Sequence, residues 1–341
     1  MTTIKDVARE AEVSIATVSR VINGNDSVRQ STRESVLQAI QKLNYTPNAI
    51  AQGLQRKKTQ TIGILFPDAS SYYFAEIIRG INDFVREHGY QIVVSSSHDV
   101  EDEAETIVTL LKSRKVDGVI LMMPSAHNTE SLGRHLQGVP AVLLNTEIGI
   151  PNSVTIVPDN YHGACQATSH LIEHGHTQLG ILHGTSHNYD SQERYRGFKD
   201  ALKESGISPE SALEAEGDFT EHSGFQAAQQ ILQRDRKPTA LFAANDAMAI
   251  GAIEAAKQMG LQVPHDLAVC GFDDISTARY MSPPLTTVNV PVFHLGQTAG
   301  RQLIAELHED TTEIARRRIT IDVELILRES CGCEANTPLN V

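Results

Sequence analysis

The chain has 341 residues, 40% hydrophobic and 21% charged, with a net charge of −13; at roughly 100–200 residues per domain this predicts two or three folding units of an ordinary globular kind. The negative balance excludes a basic surface over the whole protein, and the lack of Trp with only 5% aromatic residues leaves few rings to stack nucleobases along an extended groove. No apolar run approaches the roughly 20 residues a membrane span needs. The charge is uneven: residues 1–60 carry nine Lys/Arg against five Asp/Glu, a balance of +4, and the remainder carries −17. A basic start on an acidic body reads as a DNA-contacting head on a soluble carrier. The opening MTTIKDVAREAEVS lacks the apolar stretch of a signal peptide, so a cytoplasmic protein is expected.

Thr3-Ile4-Lys5-Asp6 has the form of a capping box and opens a helix whose apolar face is Ile4, Val7, Ala8 and Ala11. Ser14 is placed to cap a second helix, from Ile15 to about Ile22, that buries Val18, Val21 and Ile22. Ser31-Thr32-Arg33-Glu34 reads as another capping box, starting a third helix with Val36, Leu37, Ile40 and Leu43 inward. Three short helices with a tight turn between the first two make an all-α helix-turn-helix head. With Val18, Val21 and Ile22 inside, the second helix presents Ile15, Ala16, Thr17, Ser19 and Arg20 outward. Arg20 can fork onto a guanine edge, and Ile15 and Ala16 can touch a thymine methyl in the major groove. Ser14, Thr17, Ser19 and Asn23 can bond phosphates, which sets register without reading sequence. A plain helical bundle is the alternative, but it gives an exposed Ile15 no purpose.

The stretches TIKDVAREAEVSIATVSRVING and VRQSTRESVLQAIQKLNYTPNAIAQGLQ resemble the head of the lactose/galactose repressor family of bacterial transcription regulators. The resemblance implies that Ile15, Ala16 and Arg20 select the operator. It also implies that the segment after Thr46-Pro47-Asn48, too short to hold as a helix alone, folds on DNA and pairs with its twin in the minor groove. Leu54 is then a wedge between base pairs, with interdomain packing as its alternative role. Gln55, expected beside it at the DNA, stands where some members carry Lys.

From Thr61 onward, strands and helices alternate: strands over 61–66, 91–95, 118–122, 141–144, 154–157, 179–183, 239–243 and 267–272, and helices over 72–88, 100–113, 161–174, 191–205 and 246–259. Such alternation predicts parallel sheets covered by helices, in two similar passes. The resemblance names this α/β body a periplasmic-binding-protein-like core of two parallel-sheet lobes, with the chain crossing between lobes more than once. The expected domains are 1–46 for the head, 47–59 for the hinge, 60–330 for an effector-binding and dimerisation core, and 331–341 for the tail.

Ligands of such sheets bind outside the carboxyl ends of the strands. Those ends deliver Tyr73 and Phe74, Asn145, Asn188, Asp190 and Arg194, Asn245 with Asp246, and Asp273 with Asp274. Carboxylates, amides, an Arg and aromatic faces together suit a polyhydroxylated ligand. The resemblance carries effector contacts onto Arg194, Asn245 and Asp273, with Asn145, Tyr73, Phe74 and Phe219 lining the site. Asp246 reads instead as a helix cap, Phe74 has a core alternative, and for Arg194 and Asp273 ligand binding is preferred over a structural ion pair. A sugar is favoured over a purine, because purine-binding relatives carry Arg and Thr where Asn188 and Asp190 stand; a nucleoside or a sugar phosphate is the alternative effector.

No phosphate loop, G-x-S-x-G elbow or H-E-x-x-H occurs, so no enzyme and no cofactor is expected. Cys165 and Cys270 lie in apolar stretches as buried thiols. Cys331-Gly332-Cys333 could hold a metal or oxidise, but two ligands do not close a zinc site, and His174-Gly175-His176 reads as a helix C-terminus, so no metal is expected. The competing classes are a solute-binding protein with a fortuitous helical head and a sugar-modifying enzyme. The favoured reading is an allosteric repressor working as a homodimer on an inverted-repeat operator, since a two-fold operator calls for a two-fold protein. The tail after Leu327 has no heptad repeat, which favours a dimer over a tetramer.

Overall fold

The computed structural model describes residues 2–22, 27–45, 59–67, 72–96, 115–122, 133–134, 136–147, 149–150, 153–308 and 317–333. Asn23, the hinge with Leu54 and Gln55, the helix expected over 100–113 and most of the tail lie outside them. The chain divides into two compact units, 1–60 and 61–341.

The head is three helices, α1 (Ile4–Glu10), α2 (Ile15–Ile22) and α3 (Gln30–Lys42), closed over Val7, Ala8, Val18, Val21, Val36 and Ala39. Asp6 accepts from both the backbone N–H and the hydroxyl of Thr3, so the expected N-terminal signal of α1 is in place. Ser14 does the same for α2, its Oγ accepting from the Thr17 N–H at 3.1 Å. Two expectations for α3 are corrected. The helix starts at Gln30 with Arg29 at the cap, so Ser31 lies inside it, its carbonyl taken by the Ser35 hydroxyl. Leu37 points outward, 51% exposed. With Val36 and Ala39 inward, a helix turning 100° per residue carries position 37 off the apolar face.

The body holds two six-stranded sheets. The first runs β11-β5-β4-β3-β1-β2, built from β1 (Thr61–Phe66), β2 (Gln91–Ser96), β3 (Gly118–Met122), β4 (Ala141–Leu144), β5 (Ser153–Pro158) and β11 (Arg317–Ile321). All its pairings are parallel. The second runs β12-β10-β9-β8-β6-β7, from β6 (Leu179–His183), β7 (Leu213–Glu216), β8 (Ala240–Ala243), β9 (Ala268–Asp273), β10 (Thr286–Asn289) and β12 (Glu324–Ile326). Here the β10–β12 pair is antiparallel and the others are parallel.

Both sheets are buried on two faces, which is why their central strands read as near-continuous apolar runs. In β1, Ile62, Ile64 and Phe66 meet α4 (Tyr72–Glu87) and α9 (Val292–His308). Leu65, on the other face, joins Val119, Leu121 and Leu143. In β8, Leu241 and Ala243 pack under α7 (Glu221–Leu232) and α8 (Asp246–Gln258), while Ala240 and Phe242 pack under α5 (Asn160–Glu173) and α6 (Tyr189–Glu204). Helices α4 and α9 cross on bare backbone: a Cβ on Gly80 would lie 2.1 Å from the Phe293 carbonyl oxygen, and one on Gly296 would lie 2.2 Å from that of Ile77.

The chain passes between lobes three times, from β5 to α5, from β10 to α9, and from β11 to β12. The two lobes therefore do not follow two consecutive passes of sequence. Strands β7, β10, β11 and β12 and helices α7 and α9 have no counterpart among the expected elements.

Candidate functional site

In the head, α2 turns Ser14, Ile15, Ala16 and Arg20 to the surface, with Ile15 at 44% exposure. Thr17 and Ser19 are half-buried, and the Ser14 and Thr17 hydroxyls share a hydrogen bond of 2.9 Å at the helix start. An apolar side chain beside an exposed Arg, at the first turns of the second of two helices joined by a tight turn, is the surface that a major groove accepts.

In the body, side chains from both lobes converge. Asn145 follows β4 at a φ of 51°, and its amide nitrogen donates to the Tyr73 hydroxyl at 3.0 Å and to Asp190 Oδ2 at 2.7 Å. Asn145 belongs to the first lobe and Asp190 to the second, so this bond spans the cleft. Tyr73 packs against the cores of both lobes. The other Asp190 oxygen accepts from Asn160 Nδ2 at 2.7 Å, and Asn160 Oδ1 accepts from Arg194 Nε at 2.8 Å. Arg194 also donates to the Ala244 carbonyl, lies over the Phe272 ring at 3.8 Å, and pairs with Asp273 Oδ1 at 3.2 Å. A second link crosses the lobes where Arg318 of β11 donates to the Tyr189 hydroxyl.

Arg194 is 3% exposed and is set between two buried carboxyls, Asp190 and Asp273. Burial pushes the Asp273 carboxyl up to about 7; Arg194 pulls against that shift and Asp190 adds to it. Burial also raises Asp190, offset by Arg194, Asn145 and Asn160. The Tyr73 phenol is raised by burial and by the two carboxyls near it. The buried Asn145 Oδ1 has no hydrogen-bond partner among the described residues, and Asp273 Oδ1 is met there only by the Arg194 guanidinium of the ion pair. The orientation of the Asn145 amide is fixed chemically, because only its NH₂ can donate to a carboxylate. A buried acceptor left unpaired is costly, so Asn145 Oδ1 favours a guest that donates, and Asp273 Oδ1 has a lone pair to offer it beyond the one turned to Arg194.

The remaining expected residues sit around this network. Phe219, at a φ of 68°, lies so close over Gly184 that a Cβ there would be 2.1 Å from its ring. Its carbonyl accepts from Asn245 Nδ2 at 3.0 Å. Asn245 caps α8, accepting from the Met248 N–H, and Asn188 caps α6, accepting from the Ser191 N–H. Phe74 packs on Phe66, 5.5 Å between ring centres, at the edge of the first lobe's core. The cap role expected of Asp246 is corrected: Asn245 takes it, and Asp246 accepts from the Ile275 N–H and the Thr287 hydroxyl. Asp274 turns to Arg328 at 2.6 Å. Asn160, which joins Asp190 to Arg194, is absent from the expected set. Its signal was available, since it follows the carboxyl end of β5 directly after Asp159.

A three-helix head with an exposed reading face, and a two-lobed body with a buried polar network between its lobes, define a DNA-binding regulator with a ligand-binding core. The chain belongs to the lacI family of bacterial regulatory proteins, whose model matches residues 3–48, while a periplasmic binding protein-like domain matches 168–331. It is 39% identical to catabolite control protein A of Priestia megaterium over 91% of this chain and 94% of that protein. It is 36% identical to the HTH-type transcriptional repressor PurR of Haemophilus influenzae (strain PittEE), over 97% and 98%. Among solved structures, the lac repressor dimer bound to operator and the anti-inducer ONPF is 32% identical with a TM-score of 0.87, covering 97% of this chain and 99% of that one. A complex of the transcriptional regulator CelR with cellobiose is 34% identical with a TM-score of 0.73, covering 97% and 100%. The protein is thus a DNA-binding transcription regulator, and no described helix is long and apolar enough to cross a membrane.

Proposed function

We propose that the protein is a repressor that reads an inverted-repeat operator as a homodimer and releases or tightens it when a sugar enters the cleft between its lobes. The buried Asn145 Oδ1, which accepts no hydrogen bond, and Asp273 Oδ1, met only by the Arg194 ion pair, carry the effector assignment: one lies in each lobe, and hydroxyls of a single small guest would serve both. Asp190, Arg194 and Asn160 supply the surrounding donors and acceptors, and Tyr73 and Phe219 offer faces to C–H surface. The cellobiose complex of CelR agrees with this class. The ion pair between Arg194 and Asp273 holds the site's charge in register until a guest shares it.

At the DNA, Arg20 reads a base edge, Ile15 and Ala16 meet methyl groups, and Ser14, Thr17, Ser19 and Asn23 serve phosphates. Leu54, with Gln55 beside it, wedges the minor groove, so Leu54→Ala should weaken operator binding and leave effector affinity unchanged. No catalytic step is assigned to any residue.

The test is a thermal-shift screen of the whole protein against sugars, sugar phosphates and purine bases, followed by mobility shifts with the hit. A sugar that raises Tm and changes operator affinity is expected. A response confined to purines would overturn the effector class. Absence of preference for any duplex sequence over random DNA would overturn the regulator itself.

A further inference from the structure

The sequence offers two thiols near the end, Cys331 and Cys333, too few to close a metal site. The fold brings two imidazoles to them. His170 and His174 stand one helical turn apart at the C-terminal end of α5, where side chains four residues apart share a face. Cys331 ends a short 3₁₀ turn over Glu329–Cys331, and Gly332, at a φ of 93°, reverses the chain so that Cys333 returns to the same point. His170 Nε2 lies 3.3 Å from Cys331 Sγ and 3.5 Å from Cys333 Sγ, and His174 Nε2 lies 3.5 Å from Cys333 Sγ. The ligand atoms of His170, Cys331 and Cys333 all fall within 4.8 Å of one another.

These separations match a coordination shell. With Zn–S of about 2.3 Å and Zn–N of about 2.0–2.1 Å, a tetrahedron places its nitrogen and sulfur ligands about 3.6 Å apart. His170 stands at about that distance from both thiols and His174 from Cys333 alone, so a turn of the exposed His174 ring toward Cys331 would complete the Cys₂His₂ set of a closed structural site, soft enough to prefer zinc over magnesium or calcium. Cys331 is buried and also receives the Thr286 hydroxyl at 3.0 Å, an outer contact of the kind that fixes a ligand's direction. A surface cavity of about 400 Å³, walled by Cys165 and Glu173 among others, reaches His170.

We propose that His170, His174, Cys331 and Cys333 bind one zinc-class ion per chain. Both thiols lose their protons to solvent on binding, so the dication and two thiolates leave the site neutral. The ion fastens the segment after β12 to α5. That helix carries Asn160 of the effector network at its other end, and the fastened segment carries Arg328, the partner of Asp274 beside Asp273.

The probe is Co(II), titrated into the full-length protein after metal removal and under a phosphine reductant. Saturation at one ion per chain is expected, with thiolate-to-cobalt charge transfer and the strong visible bands of tetrahedral cobalt, both erased by Zn(II). Cys333→Ser and His174→Asn, at half-buried and exposed positions, should each change or lose that spectrum while keeping the far-ultraviolet circular dichroism of the parent. Zn(II) should raise the Tm of the parent and not that of Cys333→Ser. Cys165→Ser and His176→Asn, outside the set, should bind as the parent does. An unchanged spectrum in Cys333→Ser overturns the site. So does binding spread weakly over many histidines without charge transfer, or a reduced protein that takes no cobalt and only forms a Cys331–Cys333 disulfide in air.

Discussion

Asp273 ends β9 at a φ of 107°, with its carboxyl buried beside Arg194 and held at about 7 against an ordinary 3.8. The folded state therefore binds this proton more readily than the unfolded chain does, and its contribution to stability falls as pH rises from about 4 to about 7. Asp273→Asn cannot ionise and should lack that decline. Urea unfolding midpoints measured across the window should separate in favour of the variant as pH rises; parallel curves would show that the carboxyl titrates lower. Asp273→Ala should abolish the effector's influence on operator binding while DNA binding itself persists, and mobility shifts with and without effector read this directly. Much of the network was legible from strand ends: Asn145, Asp190, Arg194 and Asp273 stand where a parallel sheet delivers its ligand contacts. Asn160 was legible by the same rule and went unread. Asp246 was misjudged because Asn245, one residue earlier, satisfies the helix start and frees it for the core. The meeting of His170 with Cys331 joins positions 161 apart, a distance no local spacing encodes.

At the level of elements, the packing of α4 on α9 shows what a small residue is for. Gly80 and Gly296 each face the other helix's backbone oxygen, which cannot move aside as a side chain can. Gly296→Ala should cost about 1–3 kcal/mol of overpacking, seen as a lower urea midpoint with little change in the slope; an unchanged midpoint would mean the helices slide apart freely. Most central strands and most of their covering helices were legible, because burial on both faces writes long apolar runs; β10, Thr-Thr-Val-Asn, writes none. The two edge strands of the second sheet were not: β7 is Leu-Glu-Ala-Glu and β12 is Glu-Leu-Ile, each too short and too polar to show a period. Helix α9 carries a clear apolar stripe of Leu295, Ala299 and Leu303, so its absence from the expected elements reflects no physical obstacle.

For the molecule as a whole, the bonds from Asn145 to Asp190 and from Arg318 to Tyr189 join the lobes, so a guest that replaced the first would bias lobe closure. If a sugar alters operator affinity through that closure, operator DNA must alter sugar affinity by the same factor, with a coupling of about 1–3 kcal/mol. Calorimetric titration of the sugar with and without a saturating operator duplex should show its affinity changed by the factor that the sugar imposes on the operator; an affinity the duplex leaves unchanged would remove the coupling. The class of the protein was legible from its head, where local helix signals suffice. The interleaving of the lobes was not, because three crossings depend on where distant segments find an open sheet edge.

Those crossings bear on how the protein is made. The first lobe receives α9 and β11, and the second receives β12, only from residues 292–326. A nascent chain on the ribosome can complete its small helical head early, since a domain folds once its own residues have emerged. Neither lobe can finish until residues 292–326 have emerged. Stop codons placed anywhere before residue 326 should therefore be null for effector sensing, while the fragments they release keep an intact head.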